Sequence, residues 1–321
     1  MNIMLAPMEG VVDNYMRDCL TTLGGFQSCV TEFVRVSNRQ VLPPKVFQRL
    51  CPELDNHGKT AAGTPVIVQL LGDCPETMAA NAQVAIELGA PGIDLNFGCP
   101  ARCVNKRSGG AVLLKEPDTL FNIIRQVRQT VPGNIPVSAK IRLGYDNTDL
   151  ALDNALAVQE SGADFITVHA RTKADGYKAP ARWEWLARIN EALEIPVVAN
   201  GDINSVQDFK RCLEISGCEH IMIGRGALAR PDLARQIQAY LQQTEILPLQ
   251  WREILMLIKQ FSLAMRHTLS TTKTISRIKQ WLAMLRPQFP EAHLCFSEAK
   301  KITHYDEMQN YLDKTILNYS F

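Results

Sequence analysis

Cys99 stands in Asn96-Phe97-Gly98-Cys99-Pro100, directly after an apolar, strand-like run. Gly98 and Pro100 fix a sharp turn there, which displays the thiol instead of packing it. A thiol so placed could be a nucleophile, a metal ligand or a general acid. No nearby His–Asp pair resembles a protease arrangement, and Cys103 alone cannot complete a metal site. The chain has nine cysteines, an odd number, with no CxxC pair. A disulfide framework and a zinc site are therefore not expected, and most of the other thiols read as small buried hydrophobes.

Other polar residues cluster at the ends of apolar runs. Pro7-Met8-Glu9-Gly10 follows the first run, Glu32 and Arg35 the second, and Gln69 lies in the third. Lys140 and Arg142 end the fifth, His169 and Arg171 the sixth, Asn200-Gly201-Asp202 the seventh and Gly224-Arg225-Gly226 the eighth. Packing alone does not explain a full ring of them, because buried polar groups need partners. The glycines of the last two loops let backbone N–H groups approach an anion, and Arg225 adds a fork of donors. Two ordinary tight turns are the plainer alternative. A phosphate held there, with Lys140, Gln69 and His169 beside it, suits FMN. Lys140 could place positive charge by the flavin, and Gln69 could hydrogen-bond its pyrimidine edge. His169 taken singly could equally be a satisfied core histidine. Beside a flavin, general acid chemistry is what remains for Cys99. Arg102, Lys106 and Arg107 on the following loop could meet phosphates or simply face water.

Eight β-rich runs position these residues: Ile3–Ala6, Cys29–Val34, Val66–Leu71, Gly92–Asn96, Val137–Ile141, Phe165–Val168, Val197–Ala199 and His220–Ile223. They are apolar almost throughout, as strands buried on both faces are. Helical patterns such as 75–88 and 148–161 separate them, each closed by a glycine. Eight such units in about 240 residues predict an α/β fold of TIM (β/α)8 barrel type, with a doubly wound sheet as the second choice. Near Thr244 the alternation stops. Stretches 251–265, 275–285, 291–301 and 306–318 read as helices, with 267–273 as a polar connection. The expected division is a catalytic barrel over 1–243 and a small C-terminal all-α helical domain over 244–321. Lys and Arg are outnumbered by Asp and Glu, 24 to 26, in the first part and outnumber them, ten to seven, in the second. Seven basic residues lie within 252–286 against Glu253 alone, which suggests either a polyanionic partner or a solvated helix face. No run of eighteen apolar residues and no leader-like segment is present, so a cytoplasmic protein without a membrane span is expected.

With Val104 and Gly110-Ala111, the Asn96-x-Gly98-Cys99-Pro100 motif resembles the signature of the tRNA-dihydrouridine synthases. Ala6-Pro7-Met8, His169-x-Arg171-Thr172, Ala199-Asn-Gly-Asp202 and Ile223-Gly-Arg-Gly226 fall where that family has them. The likeness runs from residue 3 to about 286. Pro7-Met8-Glu9-Gly10-Val11 and Arg277-Ile-Lys279-Gln-Trp281 look most like the bacterial C-type branch. The resemblance implies FMN at Pro7, Met8, Glu9, Gln69, Lys140, His169, Asn200, Gly201, Asp202, Gly224 and Arg225. It implies NADPH as reductant, hydride transfer from the flavin to uracil C6, and Cys99 as the acid that protonates C5. It places Asn96 and Tyr177 against a uridine flipped out of the D-loop, and Arg35, Arg277 and Lys279 against the tRNA. The C-type branch implies position 16. A monomer with no protein partner and no metal is expected.

Three positions depart from the pattern. Lys173-Ala174-Asp175-Gly176 replaces a stretch that usually contains Glu-Gln, Ala170 replaces a common Gly, and Met284 stands where the C-type branch has an aromatic. Two other functions fit part of the sequence: an FMN barrel dehydrogenase acting on a free pyrimidine, and a non-enzymatic tRNA-binding or chaperone protein. The basic C-terminal segment argues against the first. Cys99, Lys140 and the glycine loops argue against the second.

Overall fold

The computed structural model of the chain describes residues 1–37, 40–105 and 109–319. Lys106 and Arg107 lie outside the described residues. The strands are β1 (Ile3–Leu5), β2 (Ser28–Val30), β3 (Val34–Arg35), β4 (Val66–Leu71) and β5 (Ile93–Phe97), then β6 (Val137–Arg142), β7 (Phe165–His169), β8 (Val197–Asn200) and β9 (His220–Ile223). Every ladder between them is parallel, and β1 pairs with both β2 and β9, which closes the sheet into a barrel. β2 and β3 both pair with β4, so they are two pieces of one stave and the barrel has eight.

The second run, expected unbroken over 29–34, is therefore split. The cause is a side chain. The Gln69 N–H of β4 donates to Thr31 Oγ1 at 2.9 Å, where an unbroken ladder would offer a main-chain carbonyl. The stave bows at that point, and Glu32 and Phe33 line the cavity above it.

Met4, Ala6, Val30, Ile67, Val198 and Met222 form their own buried cluster. They alternate along the strands with Ile3, Leu5, Cys29, Val66, Val197 and Ile221, which join the large outer core. This period-two split is that of a barrel whose interior is filled by side chains and whose exterior is covered by helices.

After the helix Leu233–Leu241 the chain runs into four helices, Trp251–Met265, Thr271–Leu285, Glu291–Ala299 and Tyr305–Asn318. The second begins earlier than its apolar pattern suggests, because Ser270 caps it by accepting from the Lys273 N–H. Their apolar faces share one hydrophobic cluster with the barrel helices. Trp281, fully buried, donates from its indole to the Leu228 carbonyl at 3.1 Å and meets Phe261 edge to face. Among the described residues no helix is long and apolar enough to cross a membrane.

Candidate active site at the barrel mouth

The ladder registers stack the polar residues of the barrel in rows. Gln69 pairs with Asp94 and Asp94 with Ser138; one step higher, Asn96 pairs with Lys140 and Lys140 with Thr167; above these, Arg142 pairs with His169 and His169 with Asn200. Over them opens a cavity of about 560 Å³. Pro7, Met8, Glu9, Gln69, Lys140, His169, Asn200, Gly201, Asp202, Gly224 and Arg225 all line it, together with Asn96, Cys99 and Tyr177. Arg35, Arg277 and Lys279 do not line it.

Backbone contacts build the thiol turn. Asn96 Oδ1 accepts from the Gly98 and Cys99 N–H groups at 3.0 and 2.9 Å, and the Cys99 carbonyl accepts from Asn105 Nδ2 and the Ala111 N–H. Gly110 seals the turn from behind in a left-handed conformation, φ +69°. A Cβ there would lie 2.9 Å from the Cys99 carbonyl oxygen. Burial pushes the Cys99 thiol up from its ordinary range. Glu9 and Cys103 add to this, while the Ala101 N–H and Arg142 oppose it. The thiol is therefore protonated at neutral pH, as an acid must be.

Lys140 donates to Asn200 Oδ1 at 3.1 Å, and Asn200 Nδ2 donates to the Met222 carbonyl at 2.8 Å. Burial lowers the Lys140 pKa, Arg142 lowers it further, and Asp94 opposes both. Arg171 binds Asp202 Oδ2 at 2.5 Å and lies 3.2 Å from His169 Nε2. A guanidinium only donates, so Nε2 accepts and the His169 proton sits on Nδ1. Burial pushes His169 well below its ordinary pKa, helped by Arg142, Lys140, Arg171 and Arg225, so the ring is neutral. Arg225 touches Asp202 only at 3.6 Å, and its side chain is 55% exposed. Its donors are the freest of the cationic set. Lys140, Arg142 and Arg225 in the cavity lining put positive charge beside a neutral histidine, which fits an anion at this end. The amide-rich floor fits a flat, hydrogen-bonding ring, so the donor set suits FMN.

Tyr177, 57% exposed, stands over the cavity with the Arg142 and Arg225 guanidinium carbons each 5.2 Å from its ring centroid. Backbone bonds zip its loop to the loop after β6: Leu143 N to Arg171 O, Lys173 N to Gly144 O and Ala174 N to Tyr145 O. Asp175, part of the departing stretch, accepts from the Thr172 N–H at 2.7 Å and so fixes that loop. Met284 reaches the same cavity from the helix Thr271–Leu285.

The three cations expected on the tRNA surface all hold main-chain carbonyls. Arg35 donates to Cys103 O at 2.9 Å; Lys279 donates to Lys300 O and Ile302 O at 3.0 and 2.7 Å. Arg277 donates to Gly10 O and Val11 O at 3.1 and 2.6 Å, bonds Gln280, and pairs with Asp13 at 2.9 Å. Its side chain is 13% exposed. It fastens the Thr271–Leu285 helix to the loop that carries Met8 and Glu9.

Asp94, Ser138, Arg142, Glu32 and Phe33 belong to this site but were not among the residues assigned a role from sequence. Asp94 had a readable signal: it is two residues before Asn96 and so shares its face.

The chain matches the family described as Dihydrouridine synthase (Dus) over residues 4–320. It is 53% identical over 308 residues to the tRNA-dihydrouridine(16) synthase of Pseudomonas syringae pv. tomato, covering 96% of this chain and 97% of that one. The protein of the same name from Shewanella oneidensis is 49% identical over 317 residues, with 98% of each chain covered. That from Haemophilus influenzae is 46% identical over 301 residues, covering 94% and 95%. Among solved structures, a 2-naphthoyl-CoA reductase complex aligns with a TM-score of 0.56 at 13% identity, covering 74% of this chain and 50% of that one. An old yellow enzyme homologue from Zymomonas mobilis aligns with a TM-score of 0.52 at 12% identity, covering 77% and 90%. These two share the fold.

Proposed function

The chain belongs to the dihydrouridine synthase family, and from that premise we propose that it reduces the uracil C5–C6 double bond at position 16 of the tRNA D-loop. The relatives named above carry that position in their names. FMN, recharged by NADPH, supplies the hydride to C6 when bound. Lys140, Gln69, His169 and the loops 200–202 and 224–225 would hold it, with Arg225 turned to its phosphate. Pro7, Met8 and Glu9 line the same cavity and would help to hold it.

The observation that carries this reading is a thiol on a turn fixed by backbone hydrogen bonds, at the lip of a cavity floored by amides and a lysine. Cys99 gives its proton to C5 as negative charge builds on the base. Asn96 and Tyr177 border the place where an unstacked base would lie, and Tyr177 offers it an aromatic face. The basic residues after 244 provide a field that attracts the RNA. Purified protein with FMN and NADPH should form dihydrouridine in an unmodified tRNA transcript and leave free uracil and uridine unreduced. Reduction of the free base at a comparable rate would overturn the assignment to tRNA.

The acid role sets a pH profile. The protonated thiol is the working form, and burial raises its pKa. Loss of the thiol proton should therefore not limit the rate below about pH 8–9, where an ordinary thiol deprotonates; Lys140, lowered to about 8 by burial, titrates first. The profile is read by mixing reduced enzyme with tRNA at each pH; a decline beginning below neutrality contradicts it.

Arg277 has little left to offer a phosphate, because both of its terminal nitrogens are engaged. Among the described residues, two carbonyls meet the three N–H donors of Lys279. Arg277 therefore serves the RNA surface by holding the 8–13 loop, and Arg277→Ala should weaken FMN binding roughly tenfold. Quenching of FMN fluorescence in a titration measures this. Unchanged FMN affinity together with weakened tRNA binding would put the guanidinium on the RNA.

A further inference from the structure

Below the thiol turn lies a buried carboxylate that the proposed reaction does not use. Asp94 of β5 is 1% exposed. Its Oδ1 accepts from the Ser138 hydroxyl at 2.6 Å and its Oδ2 from Gln69 Nε2 at 2.6 Å. An ionised carboxylate can only accept. The Gln69 amide must therefore turn its nitrogen to Asp94 and its oxygen the other way, 2.7 Å from Asn96 Nδ2. That in turn leaves Asn96 Oδ1 facing the Gly98 and Cys99 N–H groups. Reversing either amide would set donor against donor. One orientation satisfies the whole series, fixed at one end by the Gly98 and Cys99 N–H groups and at the other by the carboxylate, which alone orients Gln69 from below.

We propose that Asp94 is a positioning residue for the Cys99 turn, fixing the orientation of the Gln69 and Asn96 amides in series so that the thiol is held in one place. Burying a carboxylate here is costly, and a packed apolar side chain would cost less. What the carboxylate adds is direction. Two short hydrogen bonds and the Lys140 ammonium offset part of the desolvation. The assignment rests on Cys99 being the working thiol, but its test needs no turnover.

The test is the alkylation rate of Cys99 by iodoacetamide in the full-length protein, without tRNA or NADPH. Trypsin cleaves after Lys59 and Arg102, so Cys103 falls on another peptide, and fragment ions separate Cys99 from Cys74 on peptide 60–102. Asp94→Leu should speed Cys99 alkylation about fivefold to tenfold, as the turn loses the bonds that hold it. Asp94→Asn should stay near the wild-type rate. Its amide oxygen can face Gln69 and its nitrogen Ser138 Oγ, which keeps the direction. Gln69→Leu cuts the same series nearer the thiol with Asp94 intact, and should match Asp94→Leu. If Asp94→Leu does not fold, Asp94→Ala is read in its place. Wild-type alkylation in a folded Asp94→Leu or Asp94→Ala protein would overturn the proposal. So would Asp94→Asn reacting as fast as Asp94→Leu, since charge and not direction would then be what matters. Dihydrouridine formation by the wild-type protein is a separate observation and stands or falls independently.

Discussion

Replacing Cys99 by alanine is expected to slow reduction of uridine in tRNA by about 10²–10⁴-fold, the range a positioned general acid contributes. FMN binding and its reduction by NADPH should stay close to wild type. The separation follows from how the turn is made. Three hydrogen bonds hold residue 99 through its backbone, its N–H to Asn96 and its carbonyl to Asn105 and Ala111, while the thiol itself meets only the Ala101 N–H among the described residues. Alanine keeps all three and removes only the thiol. The cavity cations and the Lys140–Asn200 contact are also untouched. Stopped-flow reduction by NADPH, followed by mixing with tRNA, resolves the two halves. A variant that reduces tRNA at the wild-type rate would remove the acid role. One that no longer binds FMN would place residue 99 in the cofactor site.

The second large effect is on stability. Arg17→Leu should cost about 3–5 kcal/mol, the usual consequence of removing one partner of a buried ion pair. Arg17 is fully buried, and Glu53 meets it with both oxygens, at 2.7 and 2.9 Å. The same guanidinium holds the carbonyls of Val12 and Leu50. It thus ties the loop after β1 to the segment Pro44–Asn56, and the Met8–Glu9 edge of the cavity depends on that loop. For a chain of this length the loss should lower Tm by about 5–7 °C. Adding Glu53→Leu should restore much of it, because two packed apolar side chains need no partner. Thermal unfolding of the two variants measures both values. A double variant no more stable than the single one would show that shape, not charge pairing, holds this joint.

The barrel could be read from sequence because parallel strands covered on both faces leave near-continuous apolar runs, as 66–68 and 197–199 do. The cavity could be read because loops at one end of such a barrel converge, so strand-end residues far apart in sequence must meet. Three things were not legible. The break in the second stave comes from one hydroxyl, Thr31 Oγ1, taking an N–H that the ladder would have used; residue periodicity carries no trace of this. Asp94 sits mid-strand, and its spacing from Asn96 gives its face but not its partners. Its meaning appears only when Gln69, Asn96 and Ser138 arrive from neighbouring positions. The basic count after residue 244 says how much charge is present but not where each head group points. Arg277 and Lys279 end on carbonyls, which no composition reveals.

The most direct test of the central claim is mass-spectrometric mapping of tRNA nucleosides from cells lacking this gene, with and without the protein restored. Loss of dihydrouridine at position 16 alone, and its return with wild-type protein but not with Cys99→Ala, is the predicted result. An unchanged position 16 in cells with no second synthase for that site would contradict it.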